Sequence, residues 1–450
     1  MPFIDVSRED LIFIFSAIFQ FIKTWWWAPL PFILWGPFKF LWLWWRVDIF
    51  LSQQTSVVLE IKLPKELLKP IRAMEVVLSS IQASIYQPPD LWEKWIDGQV
   101  QLSLGLEIAS INGEPHFFIR TPKGFRDAVE SSIYAQFPEI EIKEVDDYTK
   151  YVPQDLPNKD WNMFGFDFTQ PKPDYYPIKT YLQFETEKEA LEKKRIDPIA
   201  GLMEAMAKIK EGEQLWIQFV ISPVGDVDDI KFMGRTTSKK SLSEWRRKGE
   251  LLRDKLARRE EDAKPKSILQ EVSDILIHGK VGEEKKEKDI IPPEMKLTPG
   301  ERDILTAIEM KMSKPIFNCF GRVIFLGKRE VWFKGNWRLA MAYSSQYTTN
   351  NMNAIVPLGR TLTKIKKFFL LRPLNANFIR ERRMYLRCRR LFRLYINRLS
   401  PFFPEPGGTF NLNTEELASL YHFPSWEISP VPGIPRMDSK KGPPPELPTE

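Results

Sequence analysis

Few residues in this 450-residue chain have the types and spacing that do chemistry. There are two cysteines, Cys319 and Cys388, and three histidines, His116, His278 and His422. None of them neighbours another thiol or imidazole in sequence, so no zinc-site spacing and no histidine-based active site is expected. The two distant thiols fit a reducing compartment better than a disulfide framework. Adjacent acids occur at Asp146/Asp147 and Asp228/Asp229, where they read as solvent-facing turn residues. A further pair, Glu415/Glu416, reads as the acidic first turn of a short helix, where the helix dipole favours negative charge. The nearest approach to a phosphate-binding loop is GRTTSKKS at residues 234–241. It lacks the second glycine and the Gly-Lys pair of G-x-x-x-x-G-K-[ST], whose backbone N–H groups must turn inward on a phosphate. No catalytic, cofactor-binding or metal-binding residue is assigned, and the protein is expected not to be an enzyme.

The chemistry the sequence does offer is charge. Between residues 360 and 398 there are 13 Lys/Arg against one acid, Glu381, so that window carries +12 in a chain whose net charge is +6. The remainder is a mildly acidic body. Residues 378–399 read FIRERRMYLRCRRLFRLYINRL, in which Met384, Leu386, Leu391, Leu394 and Tyr395 interleave with eight arginines. This pattern predicts an amphipathic helix or strand pair in a basic segment spanning residues 359–400. Arg380, Arg382, Arg383, Arg387, Arg389, Arg390 and Arg393 are the candidate contacts. Three anionic partners remain open: inner-leaflet lipid, nucleic-acid phosphate, or acids of the body or of another protein.

The elements that must position this segment begin at the N-terminus. Two apolar runs occur, LIFIFSAIFQFI (residues 11–22) and WWWAPLPFILWGPFKFLWLWW (residues 25–45). The first is too short to span a hydrocarbon core of roughly 30 Å as a helix, whereas the second is long enough. Trp25, Trp26 and Trp27 at one end, and Trp42, Trp44 and Trp45 at the other, read as two aromatic belts. Residues 1–52 are therefore expected to form a membrane anchor, with the main domain on the cytoplasmic side of the plasma (inner) membrane.

The body reads as a repeated α+β unit. In residues 53–150, SVVLEIKL is strand-like and is followed by a helical run over residues 71–86. A hairpin is centred on Asn112-Gly113, a strong turn signal. A helix opening at Pro122 and an alternating strand over residues 139–145 complete a βαββαβ, ferredoxin-like order. Residues 151–176 read as an ordered linker. A second unit, residues 177–358, begins with the strand IKTYLQFE and carries a long charged helical insertion, residues 224–314. Thr298-Pro299-Gly300-Glu301 in that insertion forms a capping box. The predicted fold class is thus α+β: an N-terminal membrane helix, then two ferredoxin-like units, the second interrupted. Residues 401–450 form a tail with a short helix capped by Asn413 and a proline-rich end.

The stretches FNLNTEELASLYHFP (residues 410–424) and RMDSKKGPPPELP (residues 436–448) resemble the segment that precedes the ATPase core in a family of bacterial type IV secretion, or conjugative DNA-transfer, proteins. Residues 105–147, which include SINGEPHFFIRTPKGFRDAVESSIYAQFPEIEIKEVDD, resemble the uncharacterised domain that follows the membrane anchor in the same family. The resemblance implies a non-enzymatic, membrane-anchored scaffold subunit of a transfer apparatus that positions a separate P-loop ATPase chain. Asn413, Glu415, Glu416 and His422 are then the candidate partner contacts of the tail. The alternative function is a membrane-tethered nucleic-acid-binding module using residues 378–398, which makes DNA a further candidate partner. A homo-oligomer remains open.

Overall fold

The computed structural model describes residues 16, 19–21, 23–28, 30–64, 67, 69–184, 197–225, 242–257, 297–364, 377–403, 405, 407–424 and 436–437. Most of the first apolar run, the GRTTSKKS stretch, Asp228/Asp229, His278, the centre of the charged insertion and nearly all of the proline-rich end lie outside the described residues. The chain divides into two compact units, residues 1–54 with 89–100, and residues 55–88 with 101–450.

In the first unit the apolar run of residues 25–45 is not one helix. Trp26–Ala28 form a turn, closed by hydrogen bonds from Ala28 N–H to the Trp25 carbonyl and from Leu30 N–H to the Trp27 carbonyl, each 3.0 Å. Helix α1 (Leu30–Gln53) then takes in Lys39, Arg46, Asp48 and the polar end Ser52-Gln53, and holds Pro37 within it. Among the described residues, no helix is long and apolar enough to cross a membrane. The expected membrane-spanning helix is therefore corrected: the turn cuts the apolar stretch short, and the helix that follows places Arg46, Asp48, Ser52 and Gln53 in its second half. A short π-helical turn, Glu93–Asp97, packs against α1. The Trp42 indole donates to the Trp95 carbonyl at 2.8 Å, and the Lys39 ammonium lies 5.5 Å from the Trp95 ring centre. Gly98 ends that turn at φ +72°, where a Cβ would meet the Arg46 backbone at 2.3 Å, so only glycine fits.

The second unit is built on one ten-stranded sheet, not on two separate domains. Strand β1 (Ser56–Pro64) is followed by α2 (Ile71–Ile85), the hairpin β2 (Leu104–Ile111) and β3 (Glu114–Pro122), α3 (Arg126–Tyr134) and β4 (Glu141–Val145). Asn112 and Gly113 both take positive φ in the hairpin, the geometry that matches the strand twist. The strands lie in the order β4-β1-β3-β2, all antiparallel. The next set is β5 (Trp161–Thr169), α4 (Ala200–Ala207), β6 (Glu213–Val224), α5 (Leu242–Leu256), α6 (Pro299–Ser313), β7 (Ile316–Lys328), α7 (Arg338–Ser345) and β8 (Val356–Pro357). Its order is β6-β7-β5-β8. The two sets join edge to edge where β2 pairs with β6, from Leu104 opposite Ile221 to Ile111 opposite Gln214.

The class is α+β, but the expected boundaries shift. The first strand of the second set is WNMFGFDFT, inside the stretch read as a linker, while Tyr181–Gln183 form a single 3-10 turn instead of the expected strand. β5 wins because Phe164, Phe166 and Phe168 alternate onto one buried face. The tail adds two strands. β9 (Phe410–Asn413) pairs with the start of β7, and β10 (Arg436–Met437) runs parallel to the end of β1. One sheet face is covered by α2, α3, α4, α7 and α9 (Thr414–Leu420) around a large apolar core. The other is covered by the turn Tyr148–Tyr151 and by α8 (Asn377–Ile396), the arginine-rich segment.

Candidate functional site

Helix α8 buries Cys388, Leu391, Phe392 and Tyr395, spaced i, i+3, i+4, i+7, against Met163, Trp216, Ile324 and Leu326 of the sheet. The Trp216 ring lies 5.3 Å from that of Tyr395. Gly165 on β5 lets the helix approach closely: a Cβ there would meet Leu391 Cδ2 at 2.7 Å and the Val323 carbonyl at 2.6 Å.

The end of α8 is clamped by charge. Arg398, at φ +53°, turns its guanidinium into the sheet. Its Nε donates to Glu107 Oε1 at 2.9 Å and its Nη2 to Glu107 Oε2 at 3.1 Å, while Nη1 donates to Asp147. The Tyr148 hydroxyl donates to Glu107 at 2.7 Å and meets the Tyr395 hydroxyl at 2.6 Å. Burial alone would raise the Asp147 carboxyl, but the hydrogen bonds and charge of Arg398, helped by Thr149, hold it below the usual range. Burial, followed by the charge of Glu107, pushes the Tyr148 and Tyr395 hydroxyls well above the ordinary phenol range, so both stay protonated donors.

Glu107 begins a polar row across four central strands. It sits opposite Gln218, Gln218 opposite Arg322, and Arg322 opposite Asp167, all four fully buried. Arg322 pairs with Asp167 at 2.5 Å and donates to the Leu399 carbonyl at 3.2 Å. Counting half-buried Arg120, three arginines (Arg120, Arg322, Arg398) face three carboxylates (Glu107, Asp147, Asp167). Packed beneath α8, this row ties the helix to the sheet.

The outward face of α8 is different. Arg382, Arg383, Arg390 and Arg393 are exposed, and Arg380, Arg387 and Arg389 are half-buried. Among the described residues the partners shown for these guanidiniums are neutral oxygens. Arg387 bonds the Leu362 carbonyl, Arg390 the Phe403 carbonyl, and Arg389 the Tyr385 hydroxyl at 2.6 Å. Beside Tyr385 lies an open depression of about 550 Å³, lined also by Asp155, Pro157, Asn158, Lys159 and Arg329.

The tail residues expected to meet a partner are instead buried within the chain. Asn413 and Glu416 form a capping box at the start of α9. Glu416 also pairs with fully buried Lys311 at 2.9 Å and accepts from Ile178 N–H. Burial keeps its carboxyl above the usual range despite Lys311. Glu415 pairs with Lys314, and His422 bridges the Ala418 carbonyl and Asp197 Oδ1. Of the tryptophans, Trp25, Trp26, Trp27, Trp44 and Trp45 are exposed, whereas Trp42 is half-buried on Trp95.

The clamp itself was missed by sequence reasoning. Its signal is a charged or amide residue flanked by apolar ones in the middle of each of four strand runs: Glu107 in LGLEIASI, Gln218 in EQLWIQFVI, Arg322 in NCFGRVIF and Asp167 in MFGFDFT. Among the described residues, no group of three or more His, Cys, Asp and Glu side chains is placed to hold a metal ion. No protein-family model matches this chain, and no curated protein matches it.

Proposed function

We propose that the chain is a non-enzymatic scaffold that works by contact, presenting the arginines of α8 on a rigid sheet to an anionic partner. The observation that carries this reading is the two-sided build of α8. Its inner face is fixed by Leu391, Phe392, Tyr395 and the Arg398 ion pairs, while its outer face carries exposed guanidiniums. A helix so fixed loses little conformational freedom on binding, which favours recognition by a preformed surface. Arg398 pairs with Glu107 and Asp147, and Arg322 with Asp167, beneath α8, which supports a contact role over catalysis.

The resemblance of residues 105–147, 410–424 and 436–448 supports a setting in a type IV secretion-like DNA-transfer apparatus, beside a separate P-loop ATPase. We place the protein at the cytoplasmic face of the inner membrane. The exposed aromatic side chains of α1, Phe32 at 85% and Trp45 at 50% among them, support attachment at the bilayer surface. Affinity capture of the full chain tests the reading. The eluate should contain a Walker-type ATPase and hydrolyse ATP, while the chain purified alone should not. Hydrolysis by the chain alone, or capture without any such ATPase, contradicts it.

A further inference from the structure

The polar row beneath α8 does not close on itself. Gln218, Arg322 and Asp167 stand side by side on β6, β7 and β5, all fully buried. The amide of Gln218 has a fixed orientation: its Nε2 donates to Glu107 Oε1 at 2.9 Å, and a carboxylate can only accept. Its Oε1 therefore turns away from Glu107, to the side of β6 that Arg322 flanks. Arg322 donates from Nε to Asp167 Oδ1 and from Nη2 to the Leu399 carbonyl, which leaves Nη1. Among the described residues, Arg322 Nη1, Gln218 Oε1 and Asp167 Oδ2 are buried without a hydrogen-bond partner. Each such atom costs the fold its desolvation, and three on adjacent strands call for one shared explanation. Opposite side chains of antiparallel strands lie about 4.5–5.5 Å apart at Cβ, a gap that a small bridging molecule closes.

We infer that this seam is a binding site for internal water, held between Arg322 Nη1, Gln218 Oε1 and Asp167 Oδ2. The three atoms select the ligand by their chemistry. One donor and two acceptors require a molecule that accepts and donates at once, and water does both. A halide would satisfy Nη1 but face the lone pairs of two oxygens. A metal ion or an ammonium would satisfy the oxygens but face the Arg322 guanidinium. Among the described residues, moreover, no cluster of His, Cys, Asp and Glu is placed to hold a metal. The site adjoins the Leu399 carbonyl just beyond α8, so the end of the helix is seated on the sheet through water as well as through the Arg398 ion pairs. The inference concerns the inner face of α8 and stands whichever partner the outer face meets.

The test is a high-resolution crystal structure of the full chain, joined to oxygen-17 magnetic relaxation dispersion in solution, which registers long-lived internal water. The map should show water about 2.7–3.2 Å from Arg322 Nη1 and from Gln218 Oε1 or Asp167 Oδ2. The double variant Arg322→Met with Asp167→Leu removes the donor and one acceptor without leaving a net charge. Its dispersion should be smaller than the parent's by at least one water, with matching circular dichroism. A direct bond from Arg322 Nη1 to Gln218 Oε1 with no density between them overturns the inference. So does an ion identified there by anomalous scattering, or equal dispersion from the parent and the folded variant. Should the variant fail to fold, the crystal structure of the parent decides alone. Each overturning result leaves the Arg398 clamp and the scaffold reading in place.

Discussion

Removing Arg398 should loosen α8 and destabilise the fold. Its side chain is 2% exposed and holds Glu107, which is fully buried, and Asp147, which is 17% exposed. Arg398→Ala leaves a carboxylate pair in the sheet with Tyr148 and Gln218 as the remaining neutral donors to Glu107. Breaking one side of a buried ion pair typically costs about 3–5 kcal/mol, because the partner charge stays desolvated. Against a typical domain stability of about 5–15 kcal/mol, that is roughly a fifth or more of the total. The assay is urea unfolding followed by circular dichroism, paired with trypsin digestion of the native chain. The variant should unfold at much lower urea and be cut faster within α8. The double variant Arg398→Met with Glu107→Gln removes both charges and should regain most of the loss, since Asp147 keeps some contact with water. A loss under about 1 kcal/mol for Arg398→Ala, or no recovery in the double variant, would refute the clamp.

Further outcomes concern the tail, the sheet surface and acid. Asn413→Ala opens the capping box of α9 and should lower stability by about 1–2 kcal/mol in urea titrations, because that helix is wholly buried. Gly165→Ala forces a Cβ against Leu391 and the Val323 carbonyl, and should cost about 1–3 kcal/mol in the same assay and raise trypsin cutting of α8. Asp147 has a folded pKa depressed below the unfolded value near 3.8. Its contribution is thus full above that value and lost as pH falls through the folded pKa. Asp147→Asn should lower stability at neutral pH, and its curve should converge on the parent's as pH drops below about 3.8. A constant gap between the two curves at all pH values would contradict the assignment.

The parts of this fold written locally could be read from sequence. The strand SVVLEIKL, the Asn112-Gly113 hairpin, the Thr298–Glu301 capping box and the Asn413 cap each depend on neighbours within a few residues, and the structure contains all of them. What failed depended on distant partners. WNMFGFDFT looked like a linker because Phe164, Phe166 and Phe168 find their packing partners far away on one face of the sheet, and Gly165 makes sense only beneath Leu391 of α8 on the other. The joining of β2 to β6 is an edge pairing that no local pattern announces. The acids Glu415 and Glu416 resembled surface residues, since their cations, Lys314 and Lys311, lie about a hundred positions earlier. Clustered tryptophans resembled membrane belts, yet a turn at Trp26–Ala28 divides the run before it is long enough. Within the arginine segment, the amphipathic reading placed Met384 and Leu386 with the apolar side. Both are exposed, and Cys388 and Phe392 complete the buried stripe instead.

The most direct measurement is affinity capture with Arg382, Arg383, Arg390 and Arg393 all changed to Glu. These side chains are exposed, so the variant should keep the parent's unfolding midpoint. The account predicts that it loses the co-purifying ATPase. Full retention of that ATPase by the folded variant would contradict the claim that the protein works through this helix.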